Sequence, residues 1–188
     1  MSNILIVLAH PKSDSFCAAL ADTYKKEASK YASVELLDLY RDETQQGFFT
    51  YEDANNFSPT KEMLYFQEKI TKADEIIIVH PNWWGGFPAI LQNWIDWNFS
   101  KGFAFNYGDN GRPNGLLEDK KVKIFVTSGA PNFINILGGV KSRMAKRWQK
   151  QITGFCGMTQ TFTMYGSVGT SGQKSDEILA NVSSQARN

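Results

Sequence analysis

Short apolar runs alternate along this chain with stretches in which apolar residues recur at helical spacing. The runs are rich in branched residues and lack polar interleaving, which predicts strands buried on both faces. The five predicted strands are 4–8, 34–39, 75–80, 123–127 and 159–165. Strands of this kind are typical of a parallel sheet covered by helices on both sides.

The segments between the strands carry the helical pattern. Leu20, Tyr24, Ala28 and Tyr31 recur at steps of four, four and three, which predicts the first helix. Apolar residues at steps of four predict an amphipathic helix over 140–152. Further helices are predicted at 60–73, 89–98 and 175–185, with loops at 40–59 and 81–88 and a hairpin excursion at about 99–120. Residues 128–139 carry three glycines and a proline.

Strands and helices therefore alternate from one end of the chain to the other. This order predicts one α/β domain over residues 1–188 with a parallel sheet and helices on both faces. Five strands fit the doubly wound, flavodoxin-like order 2-1-3-4-5. In that order the ligand crevice lies outside the carboxyl ends of the first and third strands.

Composition excludes several classes of protein. The 20 Lys and Arg residues nearly balance the 19 Asp and Glu residues, so the net charge of +1 gives no case for nucleic acid as a partner. Hydrophobic residues make up 42% of the chain, too many for a disordered protein. Cys17 and Cys156 lie far apart and only two histidines occur, so neither a disulfide scaffold nor a metal site is expected.

The amino terminus has no basic leader, and no apolar run approaches the ~18 residues of a membrane span. A cytoplasmic protein without membrane insertion is therefore expected.

Both histidines end a predicted strand and precede a proline. His10 follows the first strand and His80 ends the third, so both are expected close to the crevice. The alternative is that His-Pro only terminates a strand, because a residue before proline favours extended geometry. His10 is the better candidate for a phosphate contact.

The loop after the first strand contains no glycine, so the two common glycine-rich nucleotide motifs are absent. It reads Lys-Ser-Asp-Ser-Phe-Cys over 12–17. Free amides at a helix start bind phosphate. An ordinary helix cap by Asp14 or Ser15 explains the same residues, and the two interpretations are compatible.

Four of the five tryptophans lie between 83 and 97. Trp94 and Trp97 stand three apart on a predicted helix, which favours core packing. Trp83 and Trp84 precede glycine in a loop at the predicted crevice, which suits a flat ring system, although a hydrophobic plug or a dimer contact remains the alternative. The segment Gly129-Ala130-Pro131 after the fourth strand has backbone amides that suit negative charge on such a ring, and an ordinary turn is the alternative.

Together these residues resemble the NAD(P)H:quinone oxidoreductase family of the flavodoxin-like, DT-diaphorase type. The likeness covers nearly the whole chain in order, and the combination is more specific than any single motif. The matching stretches are 4–10, 15–16, 81–85, 88–91, 102–107 and 127–129.

The resemblance implies a homodimer with a flavin, FAD or FMN, at each of two shared sites and with NAD(P)H as co-substrate. The positions that it implies for the flavin phosphate are His10, Ser15, Phe16 and Cys17. Those that it implies around the ring are Pro81, Asn82, Trp83, Trp84, Gly85, Thr127, Ser128, Gly129 and Ala130. Phe105 and Tyr107 match aromatic positions that a partner subunit offers to the substrate pocket, and Phe133 is expected there as well.

The chain departs from the family in one respect. Members often carry a Tyr and a His after the fourth-strand loop, whereas residues 128–150 contain neither. No catalytic side chain is therefore carried over. Longer members of the family have a further carboxyl-terminal region that contacts an adenine. This chain is expected to lack that region, which leaves FAD and FMN both open.

The expected function is a flavin-dependent NAD(P)H oxidoreductase that reduces quinones or similar flat electrophiles in two-electron steps. The cofactor does this chemistry, which agrees with the lack of any Ser/His/Asp or Cys/His arrangement. The alternatives are a redox-sensing ancillary subunit of a membrane transporter, a flavodoxin-type electron carrier and a flavin-free protein of the same fold.

Overall fold

The computed structural model describes residues 1–52, 57–169 and 172–187. Its strands are β1 (Ser2–Leu8), β2 (Ala32–Asp38), β3 (Glu75–Pro81), β4 (Phe105–Tyr107), β5 (Pro113–Gly115), β6 (Lys121–Thr127) and β7 (Thr159–Tyr165). Five of them form the predicted parallel sheet, in the order β2-β1-β3-β6-β7. This is the predicted topology pattern, with β4 and β5 paired separately as an antiparallel hairpin within the expected excursion.

Helices cover both faces of the sheet. They are α1 (Phe16–Ala28), α2 (Lys61–Lys72), α3 (Ala89–Asn98), α4 (Asn132–Leu137), α5 (Val140–Arg147) and α6 (Gly172–Gln185). Alternate residues of β1 enter opposite cores: Ile4 and Ile6 pack with α1 and α6, whereas Leu5 and Val7 pack with α2, α3 and α5. A strand with two buried faces needs apolar residues at every position, which explains its continuous run. No helix within the described ranges is long and apolar enough to cross a membrane.

The first two helices begin at side-chain caps. Ser15 Oγ accepts a hydrogen bond from the amide of Ala18 at 3.1 Å, so Ser15 is the cap of α1. Thr60 Oγ1 accepts one from the amide of Met63 at 3.3 Å and caps α2. Each cap satisfies one of the amides that a first helical turn leaves without a partner.

The sequence pattern predicted no helix within 128–139, where the structure has α4 directly after the loop that ends at Pro131. Pro131 precedes the first turn with a φ of -57°, which suits a helix start. Gly139, with a φ of 69°, forms the left-handed joint between α4 and α5. Proline and glycine here mark the two ends of a short helix.

The predicted helix over 140–152 changes type part of the way along. α5 is followed by a π-helical turn, Trp148–Thr153, in which the amide of Gly154 donates to the carbonyl of Gln149 at 3.0 Å. Side chains four apart drift off one face of an α-helix, which has 3.6 residues per turn. The wider turn keeps Ile152 in the core, where it is 7% exposed.

Candidate functional site

Three loops meet at the carboxyl edge of the sheet. They follow β1, β3 and β6, and the contacts between them tie predicted site residues together. The ring centroids of His10 and Trp83 are 5.9 Å apart. Cys17 Sγ lies 3.2 Å from Thr127 Oγ1 in a buried hydrogen bond, and the amide of Asn82 donates to the carbonyl of Thr127 at 2.7 Å.

The loop after β1 is held from two sides. The amide of Lys12 donates to His10 Nδ1 at 3.1 Å, inside the loop. From the end of β2, the Arg41 guanidinium donates to the carbonyls of His10 and Pro11 and pairs with Asp38 at 2.9 Å. These contacts fix the loop in front of α1.

The start of α1 leaves amides available. The amides of Phe16 and Cys17 donate no hydrogen bond to any of the described residues. They occupy the first helical turn, where amides point out of the helix end and the helix dipole favours an anion. The backbone of Phe16 and Cys17 is therefore suited to bind phosphate.

The side chain of Cys17 lies in the core and leaves only its backbone at the loop. Its side chain is 1% exposed, and burial raises the pKa of its thiol to about 11, against which the hydrogen bond with Thr127 acts only partly. A protonated, buried thiol is a poor nucleophile. Cys17 therefore packs beneath the loop and has no covalent role.

The loop after β3 is a tight hairpin that presents two indoles. The amide of Trp83 donates to the carbonyl of Gly86 at 3.1 Å, and the reverse bond is 2.8 Å. Trp84 and Gly85, between them, have φ values of 55° and 76°. Two positive φ angles are the mark of a type I′ turn, which is unfavourable for a bulky residue such as Trp84.

This turn directs both tryptophans away from the core. Trp84 is fully exposed and Trp83 is 41% exposed, whereas Trp94 and Trp97 on α3 are buried at 2% and 9%. The predicted core packing of Trp94 and Trp97 is confirmed. The first pair therefore presents two large aromatic surfaces at the cleft, by which we mean the space that the loops after β1, β3 and β6 border.

The loop after β6 begins with a buried residue, Ser128, which is followed by the exposed Gly129 and the half-buried Ala130. Ser128 donates from its amide to the carbonyl of Tyr165 at 2.8 Å and from its hydroxyl to Asn135 Oδ1 at 3.3 Å. The amides of Gly129 and Ala130 have no acceptor within the residues that the structure describes. The loop therefore offers two backbone donors at the same edge of the sheet as the turn from Trp83 to Gly86, the tryptophan turn.

Asn82 carries an unsatisfied acceptor. Its Oδ1 is buried, and no donor in the described part of the chain reaches it. Buried polar atoms are rarely left without a hydrogen bond, because desolvation then goes uncompensated. A bound molecule with an N–H or O–H group would satisfy it.

His80 does not face the cleft. Its side chain is fully buried between Phe87 and Trp148, with ring centroids at 5.5 and 5.9 Å. It points to the same face of β3 as Ile76 and Ile78, as strand alternation requires. Burial lowers the pKa of His80 to about 4, so the imidazole is neutral near pH 7 and donates from Nδ1 to the carbonyl of Pro81 at 2.9 Å. The expectation of a second histidine in the crevice was wrong.

Two of the predicted substrate residues, Phe105 and Tyr107, lie on the β4–β5 hairpin, and the third, Phe133, lies in the first turn of α4, directly after the loop that follows β6. Phe105 packs against Phe155 and Tyr107, with ring centroids at 4.8 and 5.7 Å. Tyr107 and Phe133 are 55% and 60% exposed, Phe133 on α4. Within one chain, the described contacts do not join these side chains to the cleft.

Two residues at the site were missed in the sequence. Arg41 lies in the long loop after β2, and the carbonyls that it holds are about thirty positions earlier. Arg147 lies on α5, with its guanidinium 4.3 Å from the centroid of the Phe87 ring, beside the tryptophan turn. No local motif marks either residue; only the fold brings them to the loops.

Comparison with known proteins gives consistent matches over the whole chain. A family described as having a flavodoxin-like fold matches residues 2–188. A Caldicellulosiruptor saccharolyticus protein named FMN-dependent NADH:quinone oxidoreductase is 30% identical over 203 residues, covering 99% of this chain and 96% of its own. A Haemophilus influenzae protein named as an uncharacterized NAD(P)H oxidoreductase is 29% identical, covering 97% and 93% of the two chains.

Solved structures agree. A Streptococcus mutans protein superposes with a TM-score of 0.87 at 29% identity, covering 99% of each chain. The NAD(P)H:quinone oxidoreductase of Methanothermobacter marburgensis has a TM-score of 0.88 at 21% identity, covering 100% of this chain and 98% of its own, which shows the shared fold. The chain therefore belongs to the flavodoxin-like family whose members include proteins named NAD(P)H oxidoreductase and FMN-dependent NADH:quinone oxidoreductase.

Proposed function

We propose that this protein is a flavin-dependent NAD(P)H oxidoreductase that reduces quinones or similar flat electrophiles. The observation that carries the proposal is the convergence of three loops with unpaired amides and exposed indoles at one edge of the sheet. The names of the relatives support it, and they favour FMN as the flavin. It agrees with the function expected from the sequence.

The residues present fit such a cofactor. The first-turn amides of α1 suit its phosphate, and the turn from Trp83 to Gly86 suits a flat ring. The orphaned Oδ1 of Asn82 is an acceptor for a ring N–H, and isoalloxazine carries one. The amides of Gly129 and Ala130 are placed to donate to ring oxygens.

A bound flavin would supply the two-electron chemistry, with hydride uptake from NAD(P)H followed by reduction of the acceptor. The chain supplies binding and orientation. The tryptophan turn would exclude water from one side of a bound ring, and the unpaired amides of Gly129 and Ala130 would favour negative charge beside them. No described side chain in the cleft acts as a nucleophile, since the Cys17 thiol stays protonated.

The proposal extends to a homodimer, as the resemblance implies. Phe105 and Tyr107 on the hairpin would then lie at the partner's cleft. The exposed apolar face of α4 supports an interface: Phe133, Ile134, Ile136 and Leu137 are 60%, 47%, 59% and 82% exposed. Apolar clusters of this kind commonly mark protein contacts.

The test is turnover by the purified, FMN-loaded protein with NADH or NADPH and menadione as acceptor. Steady oxidation of the nucleotide, with direct passage to fully reduced flavin on photoreduction, is expected. A stable one-electron semiquinone would point to a carrier instead. Flavin that is bound but never reduced by either nucleotide would contradict the oxidoreductase.

Trp83→Ala tests the wall of the cleft, and Trp94→Phe serves as a core control on the neighbouring helix. Loss of flavin retention or of reduction by the nucleotide is expected in the first variant only. Unchanged flavin binding and turnover in Trp83→Ala would show that Trp83 serves packing and does not hold the flavin.

A further inference from the structure

The small net charge of the chain conceals an uneven distribution. Between Lys120 and Ser175 there are nine Lys or Arg residues and no Asp or Glu, whereas the rest of the chain has eleven against nineteen. At the amino edge of the sheet this excess is partly neutralised, because Lys123 pairs with Glu75 at 3.1 Å. On α5 it is not.

α5 presents an exposed cationic face, which we define as Arg143, Lys146 and Arg147. Their spacing of three and four places them on one side of the helix, while Met144 is buried. All three are exposed, and none pairs with a carboxylate in the described ranges. The positive charge of this face therefore stays uncompensated.

Arg147 brings that charge to the cleft. Its guanidinium lies over the Phe87 ring and donates to Gln92 Oε1 at 2.7 Å. Its Nη1 lies 3.7 Å from the point that a Cβ on Gly86 would occupy. Gly86 closes the tryptophan turn, so the guanidinium is oriented by two neutral partners at the rim of the proposed flavin site.

The partners that orient the Arg147 guanidinium are neutral, so its positive charge remains available to an anion. Stacking on Phe87 uses the flat face of the group and leaves N–H donors at its edge, and the bond to Gln92 uses only one of them. The N–H groups of an arginine bind phosphate oxygens in pairs. These hydrogen bonds are stronger than neutral ones because the donor and the acceptor carry opposite charges. NADPH and NADH differ in one such group, the 2′-phosphate of the adenosine ribose.

We propose that the cationic face of α5, with Arg147 as its anchor, binds the 2′-phosphate of NADPH and makes NADPH the preferred nucleotide. This rests on the proposed oxidoreductase function. An arginine near the ribose is a recurring way of accepting that phosphate in nucleotide-binding α/β folds. Arg143 and Lys146 add to the local potential that draws the nucleotide in.

The first test is binding without turnover. Calorimetric titration of the FMN-loaded protein with adenosine 2′,5′-bisphosphate and with 5′-AMP measures the contribution of the 2′-phosphate. We expect the bisphosphate to bind about tenfold more tightly at low salt and to lose most of that advantage at high salt. Arg147→Gln should remove the advantage, and Arg147→Lys should retain part of it.

Lys26→Gln is the matched control, because it removes one exposed positive charge from α1, away from the cleft. The second test compares kcat/KM for NADPH and NADH with menadione as acceptor. The wild type should favour NADPH by about tenfold, Arg147→Gln should lose this ratio, and Lys26→Gln should keep it.

The outcomes separate the two proposals. Turnover of both nucleotides with kcat/KM values within about threefold, together with equal binding of the two adenosine ligands, overturns the NADPH site and leaves the oxidoreductase intact. Absence of turnover with either nucleotide contradicts the oxidoreductase, and the titration then decides the phosphate site by itself. A preference for the bisphosphate that survives in Arg147→Gln also overturns this assignment.

Discussion

The two ends of the central sheet are built differently. At the amino edge polar groups pair with one another: the hydroxyl of Tyr24 donates to Glu75 Oε2 at 3.0 Å, and Lys123 Nζ contacts Glu75 at 3.1 Å and donates to the carbonyl of Gln185 at 2.9 Å. At the carboxyl edge the structure leaves Asn82 Oδ1 without a donor and Trp84 in a left-handed conformation. The first end contributes stability, and the second has unsatisfied groups that suit a ligand.

The largest expected effect comes from breaking the amino-edge cluster. Glu75→Ala leaves Lys123 without its carboxylate in a site where both side chains are about 16–17% exposed. We expect the free energy of unfolding, measured in urea, to fall by about 3 kcal/mol. Glu68→Ala, which breaks an exposed pair with Lys72, should cost less than about 0.5 kcal/mol. Equal losses in the two variants would contradict the proposed difference in burial.

The next effect is a loss of stability in mild acid. The pKa of His80 in the folded protein, about 4, lies below its ordinary 6.5, so the unfolded chain binds the proton first. The contribution of His80 is therefore complete above pH 6.5 and is lost towards pH 4, by about 3 kcal/mol in total and about 2 kcal/mol by pH 5.

Urea unfolding at about pH 7 and about pH 5 measures this loss. His80→Phe, which retains an aromatic ring beside Phe87 and Trp148, should show a smaller difference between the two pH values. An unchanged difference would show that another group causes it.

A smaller effect concerns the loop after β1. Arg41→Gln removes the donors to the carbonyls of His10 and Pro11 and should weaken FMN binding about tenfold, or about 1.4 kcal/mol, measured by fluorescence titration. Arg187→Gln, which breaks an exposed pair with Glu27 away from the cleft, is the control and should bind FMN as the wild type does. If both variants bind equally, Arg41 has no part in holding the loop for the cofactor.

The smallest expected effect, that of Trp84→Asn, raises the free energy of unfolding and lowers the affinity for FMN. Asparagine tolerates positive φ better than tryptophan, so Trp84→Asn should raise the free energy of unfolding by up to about 1 kcal/mol while weakening FMN binding. Tyr107→Asn replaces another exposed aromatic residue, one without a positive φ, and should give no gain in stability. A Trp84→Asn variant that is less stable than the wild type would show that the positive φ of Trp84 does not lower the free energy of unfolding.

Much of this arrangement could be predicted from the sequence, because its causes are local. The branched runs gave the sheet strands, and residues following β1, β3 and β6 necessarily meet at one edge of a parallel sheet. The indoles of Trp83 and Trp84 were expected in a loop, where the structure places them.

The missed features depend on three-dimensional packing. The side chain of His80 enters the core because its strand position alternates with Val79, which the His-Pro motif does not reveal. The π-helical turn follows from the need to keep Ile152 buried. The charge of α5 was hidden by a whole-chain balance, although the absence of acidic residues from 120–175 was readable in the sequence.

The central claim is that the unsatisfied carboxyl edge of the sheet binds a flavin. Its most direct test is the visible absorption spectrum of the purified protein after incubation with FMN or FAD and removal of free cofactor. One flavin per chain is expected, with absorption bands at ~375 and ~450 nm. A colourless protein that takes up neither cofactor would contradict it.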